Sequence, residues 1–395
     1  APVLVELPAG PKLLLTDAAL SDYPGLYLQK RDNTNRFQLR GLFPKVPQTT
    51  AMGGWKNFIQ NVTGTHDYIA KTSGTREFPW RATLIASSDG ELLDSELLNK
   101  LASPSRIADV SWLQPGKAAW EWWSNWNLEG ETFKTGINDA TYYRYIDFAA
   151  ENNIPYLVFD AGWSNYYDMP VINPDLNLRA VIDYAHRQNV EIILWCTWRT
   201  LVEQWDIAFD LFSELGIAGI KVDFFNRDDQ ITIASMEAIA QEAASRQLVV
   251  DFHGARALPG FGRTWPNVFN FEGVRGILPF TRGLVGPMDY TPGGMTNIFA
   301  TDYAKSFSQP TTIGTRCHQL AMFVVYSAPL HMMCDSASNY RKAPDFLKFM
   351  AEIPSTWEDS KVLDSQIGEH VAIARRSGDT WYVGVLGGED ARTLQ

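Results

Sequence analysis

The chain of 395 residues is 45% hydrophobic and 20% charged, the balance of an ordinary globular protein with room for one barrel and part of a second domain. Its net charge of −11 argues against nucleic acid as a partner, because phosphate would be repelled, and no apolar run is long enough to span a membrane. Three cysteines (Cys196, Cys317 and Cys334) form no C-x-x-C pair, supply neither a metal motif nor a disulfide framework, and are expected to be free core thiols.

Residues 1–110 read as all-β. Val3–Leu7, which reads as mid-strand rather than as a signal peptide, is followed by strand-like runs at Lys12–Thr16, Leu26–Gln29, Arg36–Arg40 and Arg81–Ser87, divided by Pro, Gly and Asn. These are too few for a complete two-sheet sandwich. A short helix over Ser95–Leu101 leads to a linker at Ser103 and Pro104.

Beyond Lys117 strands and helices alternate. Strands are expected at Ala118–Trp123, Tyr156–Asp160, Glu191–Cys196, Ile217–Phe224, Leu248–Phe252 and Val268–Glu272, with helices at Asp139–Asn152, Leu178–Gln188, Leu201–Leu215 and Thr232–Arg246. Ile277–Met288 and Tyr326–Met333 are candidates for strands seven and eight, and Phe346–Met350 for a closing helix. Repeated βα units without a Gly-rich phosphate loop favour a closed (β/α)8 TIM barrel over an open sheet. The expected plan is an α/β chain with a partial N-terminal β-sandwich and linker (1–110), a barrel (111–360) and the start of a C-terminal β-domain (361–395), opened by a hairpin around Ser377, Gly378 and Asp379.

Polar residues close successive strands: Asp160, Lys221 with Asp223, Asp251 with His253, and Glu272. Each alone reads equally well as a helix cap or an ion-pair anchor; as a ring at one barrel mouth they read as an active site. Carboxylate pairs cleave glycosides. Lys221 lies two residues before Asp223, on the same strand face, where a cation would lower the carboxylate pKa and keep a nucleophile ionised. Trp122, Trp123 and Trp126 could floor a sugar pocket or pack the barrel bottom. Asp228 and Asp229 read as a helix start rather than as calcium ligands. His253 could bind a sugar hydroxyl or a metal, although a lone histidine is more often structural.

Seven segments together resemble glycoside hydrolase family 97: Trp120–Trp126, Phe159–Trp163, Gly219–Phe224, Asp251–Gly254, Arg263–Asn267, Phe271–Gly276 and Gly286–Gly293, in order over almost the whole chain. The resemblance implies a bacterial, periplasmic or otherwise exported enzyme of Bacteroidetes type, acting on oligosaccharides with Ca2+ in its site. Inverting relatives carry catalytic Glu residues at seats that look like Cys196 and Gly254 here, whereas retaining α-galactosidases carry the Asp nucleophile found as Asp223. It therefore implies a retaining exo-α-galactosidase with Asp223 as nucleophile and Trp122, Trp126, Asp160, Trp195, Lys221, His253 and Arg263 around the substrate. Glu272 is the implied metal ligand. The family pattern E-G-V-x-G-x-E places its acid/base Glu where Leu278 stands, which implies that a loop between Gly276 and Ile277 is missing. The alternatives are an α-glucosidase of the same family and a catalytically inactive sugar-binding homologue.

Overall fold

Short runs buried at nearly every position need cover on both faces, and this chain supplies it with intervening helices. The computed structural model describes residues 2–8, 10–31, 38–273 and 278–388. Seven parallel strands form one sheet: β1 (Gly116–Trp120), β2 (Tyr156–Phe159), β3 (Glu191–Thr197), β4 (Gly219–Asp223), β5 (Val249–Phe252), β6 (Val268–Phe271) and β7 (Leu330–Met333), in the order β6-β5-β4-β3-β2-β1-β7. Around them lie α1 (Asp139–Glu151), α2 (Leu178–Arg187), α3 (Trp205–Leu215), α4 (Gln230–Ser245) and α5 (Arg316–Val325).

The helices begin where side-chain caps occur. Asn138, Asn177 and Asp229 accept backbone N–H bonds from the first turns of α1, α2 and α4, each worth about 1 kcal/mol. The stripe of Tyr142, Tyr145, Ile146 and Ala149 on α1 is buried as its spacing predicts. The single helix expected over Leu201–Leu215 is instead two, Trp198–Glu203 and α3, meeting at Gln204. The Gln204 amide is engaged elsewhere, accepting from Met169 N–H at 3.0 Å and donating to Tyr167 O at 3.0 Å.

The eighth barrel position differs from expectation. The described part of the Ile277–Met288 segment is two 3-10 turns, Leu278–Phe280 and Arg282–Val285, followed by a single parallel bridge from Met288 to Phe271. Gly283, Gly286 and Pro287 interrupt the run. The buried Arg282 guanidinium replaces ladder bonds, donating to the carbonyls of Phe271 and Pro287, both at 2.7 Å, and of Gly286 at 2.8 Å. The gap between β6 and β7 is therefore closed by single bonds rather than by a full strand: Asp289 N–H donates to Phe271 O at 3.1 Å, Met288 N–H to Ser327 O at 3.0 Å, and Asn270 Nδ2 to Leu330 O at 2.5 Å.

The N-terminal region holds an antiparallel sheet of Val3–Glu6, Lys12–Ala18 and Trp80–Ala86, with two further strand pairs, Tyr27–Lys30 with Leu39–Leu42 and Pro47–Gly53 with Ile59–Thr65. The last pair is unexpected: its Thr-rich first strand is mostly exposed and shows no apolar alternation to read. The region docks on the barrel through Arg256, which pairs with Asp17 at 2.9 Å and Asp228 at 3.2 Å. The strands Asp359–Gln366, His370–Ser377 and Thr380–Gly387 form the C-terminal sheet around the expected hairpin. Cys196 and Cys334 are buried free thiols, whereas Cys317 is exposed, contrary to expectation.

Candidate active site

The C-terminal ends of β1 to β6 open into a cavity of about 650 Å³. It is lined by Asp223, Lys221, Asp160, His253, Glu272, Trp122, Trp126 and Trp195, so all but one of the expected site residues converge. Arg263 is the exception. It lies on the turn before β6, at the opposite end of the barrel strands, and donates to Asn99 O at 2.6 Å. A residue that precedes a strand cannot reach the end that follows it.

Asp223 ends β4. Its Oδ2 accepts from Trp195 Nε1 at 3.2 Å, and its Oδ1 from its neighbour Phe224 N–H at 2.6 Å. That local bond forms because Phe224 is left-handed, with φ of 68°. Burial pushes the Asp223 carboxyl above its ordinary value, against the pull of His253 and Lys221. This corrects the expectation of a lowered value, because desolvation outweighs the two cations. Its Nζ lies 3.0 Å from Asp160 Oδ2 and 4.3 Å from the Trp120 ring centroid. Burial alone would lower the Lys221 pKa, but Asp160, Asp289 and Asp251 together raise it, so it stays a cation.

Asp160 is fully engaged. It accepts from Lys221, from Trp120 Nε1 at 2.8 Å and from Ala161 N–H at 2.7 Å. Its own N–H donates to Glu121 Oε1 at 2.9 Å. Glu121 also accepts from Trp126 Nε1 at 3.1 Å and Tyr142 Oη at 3.2 Å, and burial followed by the Asp160 charge pushes its pKa up to about 8. Trp126 is turned over the cavity by a left-handed pair, Asn125 and Trp126, with φ of 53° and 55°. Trp122 stacks on Trp120 at 5.6 Å between ring centroids. The pocket-floor reading thus holds for Trp122 and Trp126, whereas Trp123 does not line the cavity and packs against the core cluster around Trp120.

Behind Asp223 is a buried charge cluster. His253 Nε2 bonds Asp289 Oδ2 and lies 3.5 Å from Asp251 Oδ2. Burial and Lys221 depress the His253 pKa, but Asp251 and Asp289 outweigh them and raise it to about 9. Burial drives the Asp251 carboxyl well up, whereas contact with His253 keeps Asp289 ionised despite its burial.

Gly254 follows His253. With φ of 57°, a Cβ there would lie 3.0 Å from Phe224 N and 3.1 Å from its Cα. Its N–H donates to Glu272 Oε2 at 2.8 Å. Cys196, at the other seat read from the resemblance, is buried in the core between strands and helices and does not line the cavity.

Calcium requires six to eight oxygen ligands. Glu272 presents a carboxylate to the cavity, but one of its oxygens already accepts from Gly254. Among the described residues the one group of three metal-type ligands is Asp251, His253 and Asp289, which includes an imidazole and faces the Lys221 cation. The described residues therefore do not fit a calcium cage by themselves, and no step below passes through that ion. The loop expected between Gly276 and Ile277 lies outside the described residues.

Several cavity contributors escaped sequence reasoning, among them Ile137 and Phe307. Trp55 and Lys56 come from the unpredicted hairpin, although the Gly53-Gly54 pair before them is a turn signal. Tyr166 and Phe224 are loop aromatics without a periodic pattern.

Residues 122–274 match the protein family described as glycoside hydrolase 97. Residues 1–104 match the part described as its N-terminal, and residues 356–395 the part described as C-terminal, oligomerisation. The chain is 40% identical over 414 residues to a protein of Bacteroides thetaiotaomicron named retaining alpha-galactosidase, covering 100% of this chain and 62% of that protein. It is 30% identical over 345 residues to one of Streptomyces bingchenggensis named probable retaining alpha-galactosidase, covering 81% of this chain and 51% of the other. The chain thus spans less than two thirds of either relative's length. In fold it matches a solved glycoside hydrolase family 97 enzyme of Pseudoalteromonas sp. strain K8 with a TM-score of 0.79 at 24% identity, over 99% of this chain and 64% of the other. A crystal structure titled beta-arabinopyranosidase matches with a TM-score of 0.75 at 22% identity, over 98% of this chain and 62% of that one.

Proposed function

The chain belongs to glycoside hydrolase family 97, and on that footing we propose that it is a retaining, exo-acting hydrolase of terminal α-galactosides. The observation that carries the proposal is Asp223. It is a half-buried carboxylate at the end of β4, aimed into the cavity by Trp195 and its own chain, with no carboxylate at either inverting seat. The names of the two relatives supply the galactoside.

Asp223 attacks the anomeric carbon from the face opposite the leaving oxygen, forming a β-linked glycosyl-enzyme. The bond to the leaving group breaks, and its electron pair goes to that oxygen, which takes a proton from a carboxylic acid. Water then attacks the same carbon, the Asp223 ester breaks, and α-galactose leaves with net retention. Lys221 and Asp160 form a fixed dipole for hydroxyl recognition, and Trp122 and Trp126 offer apolar faces to the sugar ring. The acid is assigned to no described residue here; Glu272 is the remaining carboxylate at the cavity wall.

Proton NMR of p-nitrophenyl α-galactoside hydrolysis tests the proposal. α-Galactose as the first product supports it; β-galactose as the first product, or no turnover with intact sugar binding, overturns it. Calcium and export remain attached to the proposal through Glu272 and the family resemblance. Loss of activity on chelation, regained with Ca2+, would support the first; recovery from the cell envelope or medium would support the second.

A further inference from the structure

The N-terminal region reaches the cavity through the tip of its hairpin Pro47–Gly53 and Ile59–Thr65. Gly54, Lys56 and Asn57 at this tip all have left-handed backbones, with φ of 72°, 47° and 53°. Such a turn persists only where its surroundings over-determine it. Phe58 supplies the anchor: it is 2% exposed and packs against Phe224 at 5.1 Å, Tyr166 at 5.3 Å and Trp195 at 6.1 Å between centroids.

The anchored turn presents two side chains to the cavity mouth. Trp55 is 51% exposed, yet it lines the same cavity as Asp223 and lies along Phe224, the residue after Asp223, at 6.1 Å and 24°. Lys56 Nζ sits 4.0 Å from the Tyr166 ring centroid and 4.8 Å from that of Trp55. A half-exposed indole with an ammonium over its ring offers what a sugar unit needs: apolar aromatic surface and a donor for the hydroxyls beside it.

The buried polar floor of Asp160 and Lys221 lies deeper, so the terminal sugar goes there and the rest of the substrate passes the mouth. We propose that Trp55 and Lys56 form a subsite for the saccharide unit on the leaving-group side of the scissile bond, so that the N-terminal region selects oligosaccharides. This inference rests on the glycosidase reading above.

Calorimetric titration of D-galactose and of raffinose, an α-galactosyl trisaccharide, into the full-length Asp223→Asn protein tests it without turnover. Raffinose is expected to bind about fivefold to tenfold more tightly than galactose. Adding Trp55→Ala should bring the two sugars within about twofold while galactose affinity holds, and Trp55→Phe should keep most of the difference. Equal binding of the two sugars, a raffinose advantage that survives Trp55→Ala, or equal weakening of both sugars by that change would overturn the subsite alone. Binding of neither sugar to the Asp223→Asn protein would overturn the galactoside reading and the subsite with it.

Discussion

Lys221 pairs with Asp160 at 3.0 Å, two strands away, and not with Asp223, two residues along its own strand. Both partners are almost wholly buried. Removing Lys221 leaves the buried Asp160 charge without its counter-ion. Lys221→Met is therefore expected to cost about 3–5 kcal/mol in urea unfolding and to lose most sugar binding. A variant of unchanged stability would show that the pair is not what holds Asp160.

Asp223→Ala should lower kcat by roughly 10⁴-fold while the fold survives. Azide, small enough to enter the space left by the carboxylate, should restore turnover and give β-galactosyl azide from an activated α-galactoside. An α-configured azide product, or an active alanine variant without azide, would remove Asp223 from the nucleophile's role.

The acid limb of kcat/KM reports Asp223 in the free enzyme. Because burial raises this carboxyl, activity should fall as pH drops through a value above the ordinary 3.8. A limb at or below that value would mean that His253 and Lys221 outweigh desolvation.

Stability should depend on pH with the opposite sense. Glu121 moves from 4.5 to about 8 on folding and His253 from 6.5 to about 9, so both bind protons more tightly when folded. The contribution of Glu121 is complete below 4.5 and fades as pH rises through about 8; that of His253 is complete below 6.5 and fades through about 9. The melting temperature should therefore fall between neutrality and pH 9. Glu121→Gln, which mimics the protonated acid, should flatten the lower part of that decline and cost less than about 1 kcal/mol. Glu121→Ala, which orphans the donors of Trp126, Tyr142 and Asp160, should cost about 2–4 kcal/mol.

Gly254→Ala places a Cβ against Phe224 backbone in a left-handed conformation, a destabilisation of about 1–3 kcal/mol by thermal unfolding. Gly254→Glu should lose at least as much and release no β-galactose.

The acids that end strands were legible because each interrupts an apolar run: Asp160 after β2, Asp223 on β4, Glu272 after β6. The partner of Lys221 was not, since sequence shows neighbours along a strand and not those across two strands. Arg282 was missed as the anchor of the segment after β6 because a guanidinium replacing ladder bonds leaves no periodic trace. The Trp55 hairpin was missed because its exposed strands carry no alternation, and Arg263 was misplaced because its motif gives order along the chain but not which end of the barrel it faces.

The tight approach of Gly254 to Phe224 has a historical consequence. On this backbone a glutamate acquired at Gly254 presses against the turn that aims Asp223, in a conformation L side chains rarely adopt. Relaxing that turn would also change how Asp223 faces the cavity, so a carboxylate gained at this seat is expected to disturb the site before it can serve in it.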